Sequence, residues 1–497
     1  MGVTIRAPYW YTFVEFSIAV ATYLGKARAL QGYADEYTVH YPGMEFMADE
    51  HGPGRGLRLS ALHEWTKSKG AVFGAAGYWE RPLHYGDPDT EYSWKHGQTS
   101  YSQSVETEHH ACRDGCVLLD MSSFGKLAVA GSDATALLEW CTSSLIADMA
   151  YGDSSPVHYT QMLNARGGVE ADVTVVRTGP SSYYLVTGAG SACHDADHLL
   201  EQARGEGFAD VNIKDTSDTM AVLAVAGPTS REVLGNVCAG GVDVLSNELF
   251  PYGTARQLKI TVVGDDNAGR TAQKKEVSVL ALRVSFVGEL GWELHCPAGD
   301  AVAVAQALHG TEASPPPSPV TLGGYRSILD SLRVEKQFLH WGHDVGPEDS
   351  PLEAGLGFVS ARKLKSDVEF LGRDVLEQQK KDGISKRLMS FKVVGNEDDV
   401  DSLYGNEVVW VDGEQVGKLT TGGVGYSVNS GNAIGMGFVR KTEDDAAEKG
   451  TPTYWRRKVA DAVEGKAVWE VEVAGQRLRV MPSLSALYDP KGTKMRV

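Results

Sequence analysis

The chain has 497 residues, with 47 Lys and Arg against 65 Asp and Glu and a formal net charge of −18. Its 42% hydrophobic and 23% charged residues are an ordinary soluble globular composition, and the length predicts two to four domains at roughly 100–200 residues each. The acidic balance argues against a nucleic-acid partner, which needs concentrated Lys and Arg to meet phosphate. Six Cys without paired spacing exclude a disulfide scaffold and point to a reducing compartment.

Residues 8–24 are mostly apolar, carry Glu15 in their middle and are followed by Lys26 and Arg28. Such a run sits at the lower edge of a membrane span. It reads as a strand or helix packed on a soluble core, with membrane contact as the alternative. No signal-peptide or transit-peptide pattern follows Met1, so a targeting sequence is expected to be absent or removed.

Residues 27–84 read as helices with loops, 84–103 as a polar, His-rich stretch, 104–114 as a helix and 125–130 as a strand. An internal repeat follows. Leu127-Ala128-Val129-Ala130-Gly131 recurs 96 residues later as Leu223-Ala224-Val225-Ala226-Gly227, each copy leading into a polar helix start and an apolar helix. Strand, Gly turn and capped helix form one supersecondary unit. Two copies predict duplicated α/β subdomains in an α+β chain.

Between the copies, alternation over 169–177, the turn Gly179-Pro180-Ser181-Ser182 and a return over 183–187 spell a hairpin. A strand over 280–286 runs into a Gly-rich stretch, and 264–276 and 311–319 read as surface insertions. After about Lys386, short β segments separated by Gly turns predict a small closed β-domain.

Gly188-Ala189-Gly190-Ser191-Ala192-Cys193 lacks the third Gly of a dinucleotide fingerprint. His109, His110, Cys112 and Cys116 share a helix without zinc-knuckle spacing, and read as a buried Cys pair beside surface His residues. His340, His343 and Asp344 read as a structural loop, so no metal site is expected. Asp172 lies in the alternating strand among Val173, Val175 and Val176. A carboxylate there loses water and gains a raised pKa suited to proton transfer; capping the hairpin is the plainer role.

These same residues carry a family resemblance. MLNARGGVEAD at 162–172 is similar to the folate-site hairpin of aminomethyltransferases, the T-protein of the glycine cleavage system, and RVSFVGELGWEL at 283–294 resembles that superfamily's second signature. DSLRVEK at 330–336, HWGHD at 340–344 and PLEAGLG at 351–357 resemble the C-terminal half of dimethylglycine and sarcosine dehydrogenases and the related regulatory subunit of pyruvate dehydrogenase phosphatase. GAVFG at 70–74 and WERP at 79–82 fit the segment joining their flavin and folate halves.

The resemblance implies an N-terminal linker-like segment over 1–84, a folate-binding domain of the aminomethyltransferase fold over 85–383 and a C-terminal β-barrel over 384–497. It implies tetrahydrofolate as cofactor, held by Glu293 at the pterin edge, with Asp172 managing the proton near the one-carbon unit and Thr174 adding a hydrogen bond. Phe286, where many members carry Tyr, is an aromatic wall, and Tyr184 is a further wall or a core residue. One residue more than the family pattern lies between Tyr325 and Asp330.

The flavin domain that precedes this region in the family is missing, so FAD is not expected on this chain. The sequence is then a natural folate-half subunit or a fragment of a longer gene product. The expected partners are tetrahydrofolate, a small amine-derived donor and a separate flavoprotein subunit. The family suggests the mitochondrial matrix, with the cytoplasm otherwise. The competing function is a non-catalytic assembly or regulatory subunit that keeps the fold.

Overall fold

The computed structural model describes residues 55–87, 101–263, 274–310, 315–395, 403–445, 447–473 and 475–497. The apolar run at 8–24 and most of the 264–276 insertion lie outside them. No helix among the described residues is long and apolar enough to cross a membrane.

The repeat is real in three dimensions. Strands Gly125–Ala130 and Met220–Ala226 each end in a glycine with positive φ, 136° at Gly131 and 124° at Gly227, and lead into helices Ala134–Cys141 and Ser230–Val237. Both glycines are required for the same reason. A Cβ on Gly131 would stand 2.0 Å from the Asp210 carbonyl oxygen, and one on Gly227 would stand 2.3 Å from that of Gly115. Gly227→Ala adds this clash to a backbone conformation costing about 1–3 kcal/mol for an L side chain. The variant is therefore expected to unfold several degrees below wild type in a thermal melt followed by circular dichroism; an unchanged melting temperature would mean that the turn relaxes freely.

The expected side-chain caps are not formed. Asp133 and Thr229 hold the N-cap positions without a capping bond. The Asp133 carboxylate instead accepts from the Asp210 N–H (2.9 Å), while Asp210 accepts from the N–H and hydroxyl of Ser132 (2.8 and 2.7 Å).

Each copy builds the same four-strand order. Gly125–Ala130 pairs with Ser182–Thr187, which pairs with Val169–Gly179, which pairs with Ser155–Leu163. Met220–Ala226 likewise pairs with Gly291–Pro297, then Lys274–Leu282, then Thr254–Val263. The copies join edge to edge at Thr254↔Pro156 and Ala255↔Ser155. Asn212–Asp215 at one edge and Val117–Asp120 with Thr321–Gly323 at the other complete an 11-stranded sheet, antiparallel except for that last pair.

Period-two alternation sorts the faces. Ala171, Val173 and Val175 enter a core with Leu127, Leu137, Leu185 and Leu199, leaving Glu170, Asp172 and Thr174 on the other side. In the second copy Trp292, Leu294 and Cys296 enter a separate core with Phe250 and helix Ala301–His309, leaving Glu293 and His295 together opposite. Each fully buried Leu or Val contributes about 1.5–3 kcal/mol.

Several local expectations change. Residues 55–87 are mainly β: a three-stranded sheet of Arg58–Leu59, Trp79–Tyr85 and Ala71–Ala76 with one six-residue helix, His63–Ser68. Positive φ at both Gly77 and Tyr78 gives the hairpin turn that matches strand twist. The strand expected to reach residue 286 stops at Leu282, so Phe286 lies in a loop. Helix Ser102–Asp114 buries His109 rather than exposing it: Nε2 meets Ser427 Oγ at 2.7 Å and Nδ1 meets Ser331 Oγ at 2.9 Å, while His110 is exposed. The segment after Tyr325, where one residue more than the family pattern is expected, forms a five-residue π-helix, Ile328–Leu332, a form that takes more residues per turn than an α-helix.

The C-terminal strands close into a six-stranded barrel in the order Lys386–Val393, Ala433–Arg440, Glu414–Val424, Val408–Val411, Trp469–Val473, Gln476–Ser483. Helix Pro452–Val463, started by Pro452 and capped by Thr451, adds Tyr454 and Trp455 to its core.

Candidate functional site

A cavity of about 1850 Å³ lies where the two copies, the N-terminal hairpin, the 336–343 loop and the start of the barrel converge. Asp172, Thr174, Glu293 and Phe286 all line it, so the fold brings together four of the five side chains singled out in the sequence. Tyr184 is the fifth and stands behind the wall. Its side chain turns to His295, where Oη meets Nδ1 at 3.1 Å, so of the two places the sequence left open for it, wall or core, it takes the buried one.

Asp172 is half-buried and doubly bonded. Tyr159 Oη donates to Oδ2 at 3.1 Å and Gln161 Nε2 to Oδ1 at 3.4 Å. Desolvation dominates; the two hydrogen bonds oppose it and Asp195 adds to it, leaving the carboxyl pushed up to about 7. The register Gln161↔Asp172 explains the pairing, and Tyr159, two residues along, opens onto the same cavity.

Glu170, two residues before Asp172, holds a second polar group. His194, in the first turn of helix Ala192–Glu206, lies between Glu170 Oε1 (3.2 Å from Nε2) and Asp195 Oδ1 (2.9 Å from Nδ1) and packs on Trp341 with ring centroids 5.4 Å apart. Burial opposes its charge, but the bonds to Asp195 and Glu170 prevail and hold its pKa up at about 10. This imidazolium ties the Asp172 strand to the helix and to the 336–343 loop. The fragment Gly188-Ala189-Gly190-Ser191, unfit for a dinucleotide, forms the turn before that helix and lines the cavity.

Phe286 stacks on Phe338 with centroids 6.3 Å apart and planes 14° from parallel, making a flat apolar wall. His340 and His343 also line the cavity, but Asp344 is committed elsewhere. It pairs with Arg333 (2.5 Å) and accepts from the hydroxyls of Thr420 (2.8 Å) and Thr421 (2.5 Å). Among the described residues no group of three His, Cys, Asp or Glu is arranged to hold a metal ion.

Sequence reasoning missed Tyr159, Gln161, Glu170, His194, His295 and Phe338. Strand alternation could have found Glu170 and His295, since each lies two residues from a chosen carboxylate. The others are set by strand register and loop packing, which carry no local signal.

A duplicated antiparallel α/β unit with a closed C-terminal barrel and a central cavity is the aminomethyltransferase-type architecture. The GCVT N-terminal domain matches residues 62–363, and the glycine cleavage T-protein C-terminal barrel domain matches residues 386–489. The chain belongs to the glycine cleavage T-protein family.

Mitochondrial sarcosine dehydrogenase of Homo sapiens is 34% identical over 86% of this chain and 48% of its own length. Mitochondrial dimethylglycine dehydrogenase of Homo sapiens is 32% identical over 84% of this chain and 44% of its own. The chain thus spans about half the length of these relatives. The glycine cleavage system aminomethyltransferase T of Bartonella henselae superposes with a TM-score of 0.64 at 23% identity, over 88% of this chain and 99% of that one, which establishes the shared fold.

Proposed function

We propose that this chain binds tetrahydrofolate in the central cavity and passes a one-carbon unit to it from an amine-derived donor. The observation that carries this reading is the convergence on one cavity of two carboxylates, Asp172 and Glu293, and the flat wall of Phe286 and Phe338. A pterin needs that combination: an aromatic face for the ring and an acceptor for its adjacent N–H and amino donors, a charge-assisted pairing that also orients it. When bound, tetrahydrofolate supplies the nitrogens that take up the one-carbon unit.

Glu293 accepts the pterin donors, and Thr174 adds a hydrogen bond from the Asp172 face. Asp172 takes and returns the proton as the unit is captured. The enclosing wall keeps a reactive donor from water.

Oxidation of the amine is assigned to a flavoprotein part or partner outside these residues. We place the folate-binding unit at 85–383 and the barrel unit at 384–497, with 1–84 as the linker-like segment. The mitochondrial relatives favour the mitochondrial matrix.

Calorimetric titration of the purified chain with tetrahydrofolate tests the reading. Saturable binding is expected. Glu293→Gln, which removes the charge from a buried pair at a typical cost of 2–5 kcal/mol, should weaken it at least about 30-fold. Absence of binding by folded protein would sink the proposal and leave the assembly or regulatory role.

A further inference from the structure

Ala128 and Ala224 occupy the same position in the two sequence repeats, and the residues paired opposite them are Tyr184 and Glu293. The duplicated fold therefore presents a phenol in one copy where it presents a carboxylate in the other. His295, two residues after Glu293 on the same strand face, lies between them. Its Nδ1 meets Tyr184 Oη at 3.1 Å and its Nε2 stands 3.5 Å from Glu293 Oε2, with the Tyr184 and His295 rings perpendicular at 5.4 Å. The His295 side chain has no exposed surface.

We propose that His295 is a positioning residue for the ligand-binding carboxylate, its Nε2–H holding Glu293 while its Nδ1 accepts from the Tyr184 hydroxyl. This deepens the folate reading and rests on it.

The tautomer follows from the partners. Glu293, as a carboxylate, can only accept, so the proton of a neutral ring belongs on the Nε2 that faces it, and Nδ1 is left to accept from the Tyr184 hydroxyl, which burial first, then Glu293 and Cys296, keep protonated. The proton then sits on Nε2, which makes no hydrogen bond at its present separation. A buried N–H without an acceptor is costly, and the carboxylate within reach is Glu293. A shift of Glu293 by a few tenths of an ångström closes the bond. His295 thereby favours one orientation of the cavity-lining Glu293 carboxylate before any ligand arrives.

Tetrahydrofolate titration of the full chain carrying His295→Gln, His295→Asn and Tyr184→Phe tests this, with the thermal midpoint of each variant recorded alongside. Gln places an amide N–H near the Nε2 position; Asn does not reach it. His295→Asn is expected to weaken binding about tenfold, the loss of one hydrogen bond to a charged group. His295→Gln should recover to within about threefold of wild type at a similar midpoint. Tyr184→Phe should weaken binding about threefold alone and add nothing in the His295→Asn background, because the phenol acts only through the imidazole.

Equal affinities of the Gln and Asn variants, or additive losses in the double variant, would overturn the inference. Should His295→Asn fail to fold, Tyr184→Phe alone decides: unchanged affinity overturns the proposal and a severalfold loss supports it. Binding that Glu293→Gln destroys but every His295 variant keeps would overturn this inference and spare the folate reading. Absence of binding by wild type would overturn both.

Discussion

Asp172→Asn is expected to lower one-carbon transfer to tetrahydrofolate by about 10²–10⁴-fold while leaving tetrahydrofolate affinity within about threefold, the pattern of a lost proton carrier whose shape is retained. Formaldehyde, which condenses with tetrahydrofolate with loss of water, serves as donor in an assay of the methylene product above the uncatalysed rate. The wild-type rate should show an inflection near pH 7, because burial holds the Asp172 carboxyl up at about 7 against the hydrogen bonds from Tyr159 and Gln161. The variant profile should lose that inflection. A variant that retains its rate would remove Asp172 from the chemistry.

The same shift has a stability signature of definite sign. An acid raised from 3.8 to about 7 on folding binds its proton more tightly in the native state, so its contribution is fully present below the unfolded pKa. That contribution is lost as pH rises toward 7. Asp172→Asn, which cannot ionise, should therefore match wild type near pH 4 and melt above it at pH 8, by about 1 °C for each kcal/mol recovered in a chain of this length. Lower activity with higher stability at pH 8 distinguishes a functional carboxylate from a hairpin cap, whose loss would destabilise.

The division between what the sequence announced and what it withheld follows a physical line. The repeat was legible because strand, Gly turn and helix are local, and Gly131 and Gly227 mark backbone positions that admit no Cβ. The hairpin carrying Asp172 was legible because alternation fixes which side chains share a face. The strand end at Leu282 was not, since Arg283-Val284-Ser285-Phe286 has β propensity and only the tertiary contacts of Arg283, whose guanidinium donates to the Phe250 and Val497 carbonyls, turn it into a loop. His109 misled for a related reason: its hydroxyl partners, Ser331 and Ser427, lie more than two hundred residues away and make burial of a polar ring tolerable.

Charge was the least legible feature. A net −18 says nothing of where single cations are buried, yet His194 and Arg113 each organise two carboxylates. In His194 the cation stands on the cavity wall and fixes the strand that carries Asp172. In Arg113 it fastens the frame around that wall, and its removal is expected to cost the fold directly.

Arg113→Met should destabilise the fold by about 3–5 kcal/mol, the cost of breaking a buried ion pair by deleting one partner. Arg113 Nη1 donates to Glu289 Oε1 (3.0 Å) and to the Val287 carbonyl (2.7 Å), and Nη2 donates to Glu335 Oε2 (2.9 Å) and to the Leu332 carbonyl (3.3 Å). Its Cζ lies 3.9 Å from the centre of the Tyr488 ring. Glu289 and Glu335 are 1% and 0% exposed. Glu335 also accepts from the Ser427 N–H of the barrel domain at 2.8 Å. One guanidinium thus joins helix Ser102–Asp114, the loop after Phe286, the π-helix end, the barrel and the C-terminal segment.

Desolvation already pushes both carboxyls above their ordinary value with Arg113 beside them. Without it they rise further, so as pH rises the variant's native state keeps protons that the unfolded chain has already released, or buries unpaired carboxylates, and loses stability either way. The gap in thermal midpoint between wild type and Arg113→Met should therefore be smallest near pH 5 and widen toward pH 8. A constant gap would mean that lost packing under Tyr488 outweighs the unpaired charges. Because Val287 and Leu332 frame the loop and π-helix that present Phe286 and Leu329 to the cavity, tetrahydrofolate affinity should fall in parallel even at temperatures where the variant stays folded.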